Sequence, residues 1–409
     1  MLDWANQFSI CCFLDDNQYR LREHSFECLL AVNAQSVLHT TQGKVFEQLQ
    51  AFIDKSNDWC FGHLGYDLKN EIETLQSDNA DPVKFDDIFF FVPEIVLILR
   101  SNELLIGVKG QEHASVARAV FNRLPATPST PLQIEIKSRF SRNAYINTVR
   151  ELQQHILQGN CYEINFCQEF YNDHAVINPL QVYMALSKES PNPFSCYYKL
   201  EDKYLLCASP ERYLRKKGNR LISQPIKGTI RRNNKQTETD THNRETLQQS
   251  SKERSENIMI VDLVRNDLAK VCIEGSVKVD ELMGIYAFPQ VYQMISTISG
   301  EVAHTVPVTN IVKATFPMGS MTGAPKKRVM ELIEQYEQTK RGLFSGAVGY
   351  ISPVQDMDFN VVIRSILYNA SNRYLSFQTG SAITYYSRAE DEYEECLLKA
   401  EAIKKVLNG

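Results

Sequence analysis

Zinc and redox signatures are missing from this sequence: its 10 cysteines form no C-x-x-C and its 8 histidines no H-E-x-x-H. The common zinc sites and thioredoxin-like chemistry are therefore excluded, and a di-iron bundle would need Glu-x-x-His, also absent. The cysteines, Cys11 and Cys12 adjacent among them, read as reduced, buried thiols of a cytoplasmic protein. Long apolar runs are missing too. The most apolar segment, 88–99, is interrupted by Pro93 and Glu94, so no membrane span is expected. Residues 1–30 place Asp3, Asp15 and Asp16 around only a short apolar patch, unlike a signal peptide. Nor is there an excess of one charge. With 44 Lys and Arg against 49 Asp and Glu, net −5, no nucleic-acid face is expected, and the basic clusters 215–217 and 231–232 read as solvated turns. Small anionic substrates stay possible. A Walker A loop is absent as well, because in FPMGSMTGAPKK (316–327) Ala324 stands where the second glycine belongs.

What is present begins with length. A chain of 409 residues makes two or three domains or one large one. Residues 1–123 alternate short apolar runs with turns and two helical stretches, an α+β pattern. LPATPSTPL, 124–132, is a Pro-rich linker, and 133–409 forms the remaining region. Ser141 reads as the N-cap of a helix stopped by Gly159 and Asn160.

The stretch 252–270, KERSENIMIVDLVRNDLAK, opens with Glu253 and Glu256 on one helical face and continues through a run apolar on every side, which predicts a buried helix. Its β-branched residues also suit a strand. Helix is preferred because no glycine or proline interrupts the chain between Gly228 and Gly275. Near the C-terminus Glu392, Glu395 and Lys399 share a stripe beside the apolar Cys396, Ala400, Ile403 and Leu407. One acid pair at this spacing is usually a solvated helix face. Two pairs, one on an apolar helix, point to buried carboxylates, which must be paired, hydrogen-bonded or metal-bound, and an all-oxygen set suits Mg²⁺.

Residues 204–229 read as a hairpin around Gly218 and Asn219. A three-residue loop sets Glu211 opposite Lys227; a two-residue loop displaces them to opposite faces. The pair is either an ordinary ion pair on a surface hairpin or a site in which Gly228 lets a ligand approach the backbone. Arg364, expected on a strand with Val362 and Ile366, is either a core ion-pair member or a carboxylate binder. Thr379, Gly380, Ser381 and Ala382 can offer backbone N–H groups to the same ligand. Together these features fit an enzyme acting on a small polycarboxylate.

SPER (209–212), PIKGT (225–229), ERSENIMIVDLVRNDLAK (253–270), FPMGSMTGAPK (316–326), GAVGY (346–350), IRS (363–365) and EYEECLLKA (392–400) together resemble the chorismate-utilising enzymes, in order and spacing from about Phe140 onward. The resemblance implies an α/β (α+β) fold like that of anthranilate synthase component I: two stacked, mostly antiparallel sheets surrounded by helices, with the linker inside a single structural unit. The lysine of PIKGT resembles the aminodeoxychorismate synthase component I branch; anthranilate synthases usually carry alanine there. Isochorismate and salicylate synthases resemble K-V-x-x-S-R where this chain reads Glu163-Ile-Asn-Phe-Cys-Gln168, so their water-activating lysine is missing.

By resemblance, Mg²⁺ is held by Glu256 and Glu395, with Glu253 and Glu392 behind them through water. Gly228, Thr229, Arg364, Gly380, Ser381, Ala382 and Lys399 bind substrate. Lys227, kept neutral by partial desolvation and a nearby cation, attacks C2 of chorismate, and Glu211 protonates the leaving C4 hydroxyl. Ammonia then yields 4-amino-4-deoxychorismate, a precursor of para-aminobenzoate and folate. No glutaminase segment is visible, so ammonia is expected from a separate glutamine amidotransferase subunit in a heterodimer. The competing readings are anthranilate synthase component I, an isochorismate or salicylate synthase, and a non-catalytic chorismate-binding sensor.

Overall fold

The structure, a computed structural model, describes residues 1–19, 23, 26–40, 43–110, 112–123, 133–233, 236–288 and 290–409. The Pro-rich stretch 124–132 lies outside them. Many strand-forming residues here are β-branched, aromatic or leucine, and the chain makes an α+β fold in which, among the described residues, every ladder between the strands is antiparallel. Two long strands, Cys28–Thr40 and Ile88–Arg100, pair along nearly their full length and run from one half of the sheet into the other. A register break between Ala34 and Ser36 marks the crossing, where Asn33 takes φ +58°.

One half continues from Cys60–Leu64 through Ala347–Ile351, Met357–Asn360, Arg212–Lys217 and Arg220–Gln224 to Val291–Glu301. The other continues from Ile10–Asp15 through Phe194–Leu200, Lys203–Ser209, Ser365–Asn369 and Tyr374–Ile383 to Glu163–Asn172. Alternation sorts their side chains into two cores. On Lys203–Ser209, Leu205 and Cys207 join the core shared by both halves, whereas Leu206 and Ala208 face a second core under helices. Cys12 and Cys11 divide in the same way. The shared core holds Phe61, Phe91 and Phe359 from one half against Tyr198 and Leu205 from the other, which gives the two stacked layers. Each aliphatic side chain so buried is worth roughly 1.5–3 kcal/mol. A one-residue slip would invert both cores, so register is tightly specified.

The helices Arg142–Leu157, Pro179–Glu189, Lys326–Tyr336 and Ala389–Asn408 supply the second core. Ser141 caps the first by accepting the Ala144 N–H at 3.2 Å. All 10 cysteines are free thiols. Among the described residues no helix is long and apolar enough to cross a membrane.

Candidate active site

Ser250 starts the helix Ser251–Ala269, its hydroxyl accepting the Glu253 N–H at 3.3 Å. This helix is not buried all round, contrary to the expectation from its apolar run. Glu256, Asn257, Ile260, Val261, Val264, Asp267 and Leu268 face inward, while Ile258 is 50% exposed. The reason is geometric: one stripe at 3.6-residue spacing meets the sheet, Met259 and Leu263 at its flanks are half-buried, and Ile258 on the far side faces outward. On the helix Ala389–Asn408, Cys396, Ala400, Ile403 and Leu407 are buried as expected, and Glu392 is buried with them.

The two helices bring their acids together around Lys252. Its Nζ lies 2.9 Å from Glu392, 3.7 Å from Glu395 and 3.9 Å from Glu256. Glu395 also pairs with Lys399 at 2.8 Å, and Lys399 donates to the Gly380 carbonyl at 2.8 Å. Burial pushes Glu256 up to about 8, with Lys227 opposing. Burial works against the charge on Glu395 too, but Lys399, Lys252 and Lys227 outweigh it and hold Glu395 down to about 2. Burial also raises Glu253, reinforced by Glu395.

Among the described residues no three His, Cys, Asp or Glu side chains are arranged to hold a metal ion as they stand. Yet Glu256 Oε1 and Glu392 Oε2 are buried without a hydrogen bond, and Lys252 already fills the space among three carboxylates with positive charge. Such an oxygen-only set with bare lone pairs fits a hard cation once Lys252 withdraws.

The turn at Gly218 and Asn219 has two residues, Lys217 pairing Arg220, and a bulge between Arg212 and Arg215 shifts the register beyond it. Glu211 is therefore not opposite Lys227. A second bulge lies in Ile226–Arg231, where the register against Val291–Glu301 shifts between Ile226 and Thr229. It contains Lys227 and Gly228, and Gly228 takes φ +94°. The bulge aims Lys227 into the interior, where its Nζ donates to Glu163 Oε1 at 2.8 Å.

Burial opposes the charge on Lys227, but Glu163, Glu256 and Glu211 outweigh it and raise its pKa. In the ligand-free site the carboxylates thus favour the charged lysine, the opposite direction to the neutral lysine expected. Burial pushes Glu211 up to about 7, with Lys227 and Lys399 opposing. That keeps a proton available near neutral pH.

A Cβ on Gly228 would sit 3.1 Å from Glu253 Oε2 on a backbone that L side chains rarely adopt. Gly228→Ala is expected to displace the bulge, lowering the melting temperature and raising the substrate KM roughly tenfold; steady-state kinetics and thermal melts check both.

Arg364 is not on a strand. It lies between Met357–Asn360 and Ser365–Asn369 at φ +52°, which breaks the alternation with Val362 and Ile366. Its Nη1 donates to the Lys399 carbonyl at 3.3 Å. Gly380, Ser381 and Ala382 belong to the strand Tyr374–Ile383, opposite Cys167, Phe166 and Asn165. Among the described residues, no strand pairs with the other edge of Tyr374–Ile383 beyond Ser376, so this edge can meet a ligand. Gly380 is obligatory there, since a Cβ would lie 2.0 Å from the Phe166 carbonyl oxygen. Thr229 is exposed and paired with Gln293. The structure thus joins Glu256, Glu392, Glu395, Lys399, Gly380 and Arg364 through direct contacts, and places Glu253, Lys227 and Glu211 within the same field, with Gly228 against Glu253.

Two residues escaped the sequence reading. Lys252 was hidden as one more charge in a polar helix start. Glu163 appeared only as a departure from K-V-x-x-S-R; a charge among the strand-like residues of CYEINFCQEFY was the available signal. The segment 316–327 acts mainly as a support: Lys326 pairs with Asp267, and Gly323, lacking a side chain, lets Ala324 pair with Glu163.

The profile of the chorismate binding enzymes matches residues 10–405. A protein of Bacillus subtilis (strain 168) named aminodeoxychorismate synthase component 1 is 33% identical over 85% of this chain and 76% of its own length. One of Aquifex aeolicus (strain VF5) named anthranilate synthase component 1 is 30% identical over 85% of this chain and 73% of its own. The solved anthranilate synthase component I of Streptococcus pneumoniae TIGR4 superposes with a TM-score of 0.80 at 24% identity, covering 95% of this chain and 94% of that one, a likeness of fold. With that extent of match, and with the acid helices and the lysine bulge in one interior site, this chain belongs to the chorismate-binding enzyme family.

Proposed function

We propose that this chain aminates chorismate at C4 to 4-amino-4-deoxychorismate, as the component I of an aminodeoxychorismate synthase. The observation that carries the reading is Lys227, buried and hydrogen-bonded on a bulge at the acid cluster. A lysine nucleophile there makes the C4 product accessible. Glu256 and Glu395 would hold Mg²⁺, with Glu253 and Glu392 behind them. When bound, Mg²⁺ supplies positive charge that neutralises the substrate's ring carboxylate.

The protein's own groups then act in order. Arg364, Lys399 and the backbone at Gly228, Thr229 and Gly380 to Ala382 orient the dianion. The Lys227 nitrogen forms a bond to C2 as the C4–O bond breaks, and Glu211 gives its proton to the departing hydroxyl, which leaves as water. Ammonia bonds to C4, the C2–N bond to Lys227 breaks, and the ionised Glu211 takes the excess proton. Ammonia comes from a separate glutamine amidotransferase subunit, as the designation component 1 of the relatives suggests.

The test is product analysis of the purified chain with chorismate, Mg²⁺ and ammonium, with and without an added 4-amino-4-deoxychorismate lyase. 4-Aminobenzoate only with the lyase supports the proposal. Anthranilate would favour the second reading, which the Aquifex relative keeps open. Lys252→Met is expected to tighten Mg²⁺ binding by roughly tenfold while lowering the melting temperature of the metal-free protein, since the ammonium competes with the metal and holds the acids together without it. Calorimetric titration and metal-free melts check this.

A further inference from the structure

An amine attacks only with its lone pair free, yet Lys227 is buried among carboxylates that hold its proton on. Its proton must pass to an acceptor within hydrogen-bond reach before the C2 bond can form. Glu163 Oε1 is at that distance, 2.8 Å from Nζ. Glu163 is itself 1% exposed, and its second oxygen is buried without a hydrogen bond. Glu256 and Glu211 act on Lys227 through their field, and neither pairs with it within 4 Å. Glu163 also cannot drift away: it opens the strand Glu163–Asn172, paired with Ala324, whose neighbour Gly323 would bring a Cβ to 2.1 Å from the Glu163 carbonyl oxygen.

We propose that Glu163 is a catalytic residue of this site, the base that takes the proton of Lys227. The inference rests on the chorismate-aminating reading above. One N–H bond of the ammonium breaks, the proton forms an O–H bond on Glu163, and the freed electron pair stays on Nζ for attack at C2. When ammonia later expels the lysine, the amine leaves neutral and takes its proton back from Glu163, which restores the resting ion pair for the next turnover. The exchange needs no oxidant or further reactant.

Glu163→Gln separates this role from a merely structural one, because the two predict opposite signs. If Glu163 only pins the charge of Lys227, removing the carboxylate frees the amine and kcat stays level or rises. As the base, its loss lowers kcat about 100-fold, with the chorismate KM unchanged. The mass-shifted Lys227 adduct formed from chorismate and Mg²⁺ without ammonium then disappears, as followed by intact mass spectrometry. Glu163→Asp, which keeps a carboxylate at shorter reach, is expected to retain part of both signals.

A kcat for Glu163→Gln at or above that of the unaltered protein overturns the proposal, as does a raised KM at unchanged kcat. If the glutamine variant does not fold, Glu163→Asp decides: full kcat and adduct rate at unchanged KM overturn the proposal, and a reduction of both supports it. The wider reading fails separately, through absence of 4-amino-4-deoxychorismate from the unaltered protein or full activity of Lys227→Ala.

Discussion

Lys227→Ala is expected to reduce 4-amino-4-deoxychorismate formation by roughly 10²-fold or more, because it removes the nitrogen proposed to form the C2 bond. The residue is 8% exposed and its nitrogen sits between a hydrogen-bonded Glu163 and the fields of Glu256 and Glu211. Deleting it leaves those carboxylates facing one another without their cation. A fall in melting temperature is therefore expected beside the loss of activity. Lys227→Met, which keeps the volume, distinguishes the two effects: it should be as inactive while packing better. Chorismate binding by titration should survive in both variants. Full product formation by Lys227→Ala would remove the covalent route, and appearance of anthranilate would move the chain to the other aminating branch.

Glu256→Gln is expected to abolish the response of activity to Mg²⁺ and, in the metal-free protein, to raise stability at pH 8. Burial pushes the Glu256 carboxyl from 4.5 up to about 8. A group whose folded pKa is raised contributes stability that is fully present below its unfolded value and lost as pH rises through the folded one. Glu256 thus weakens the metal-free fold progressively between about pH 4.5 and 8, and Glu211, raised to about 7, adds to the same decline. Thermal melts across this range with chelator present should show the melting temperature falling with pH. The fall should be shallower in Glu256→Gln, since an amide has no ionisation to resist. An equally steep decline in the variant would contradict the burial argument, and an undiminished Mg²⁺ dependence would remove Glu256 from the proposed metal site.

Much of this could be read from residues near one another in the chain. Glu392, Glu395 and Lys399 beside Cys396, Ala400, Ile403 and Leu407 declare a helix and its two stripes by spacing alone, and Ser141 declares a helix start, because caps and amphipathic faces are local physics. The apolar run at 204–208 likewise reads as a strand opening the hairpin of 204–229. The ordered motifs from SPER to EYEECLLKA carried the family resemblance.

Only the tertiary structure decided the partnerships. Lys227 turned to Glu163 and not to Glu211, because a bulge at Lys227 and Gly228, invisible to a register count, rotates one side chain. The exposed side of Ser251–Ala269 and the break at Arg364 followed from what the rest of the chain did or did not place against them. Sequence by itself determined which residues are charged, which faces are apolar and where elements begin, since those depend on neighbours within one or two turns. Which charges meet was settled by elements such as Glu163–Asn172, Ile226–Arg231, Ser251–Ala269 and Ala389–Asn408 packing together. A proton's preferred seat depends on that summed field, and the field exists only once the chain has closed around it.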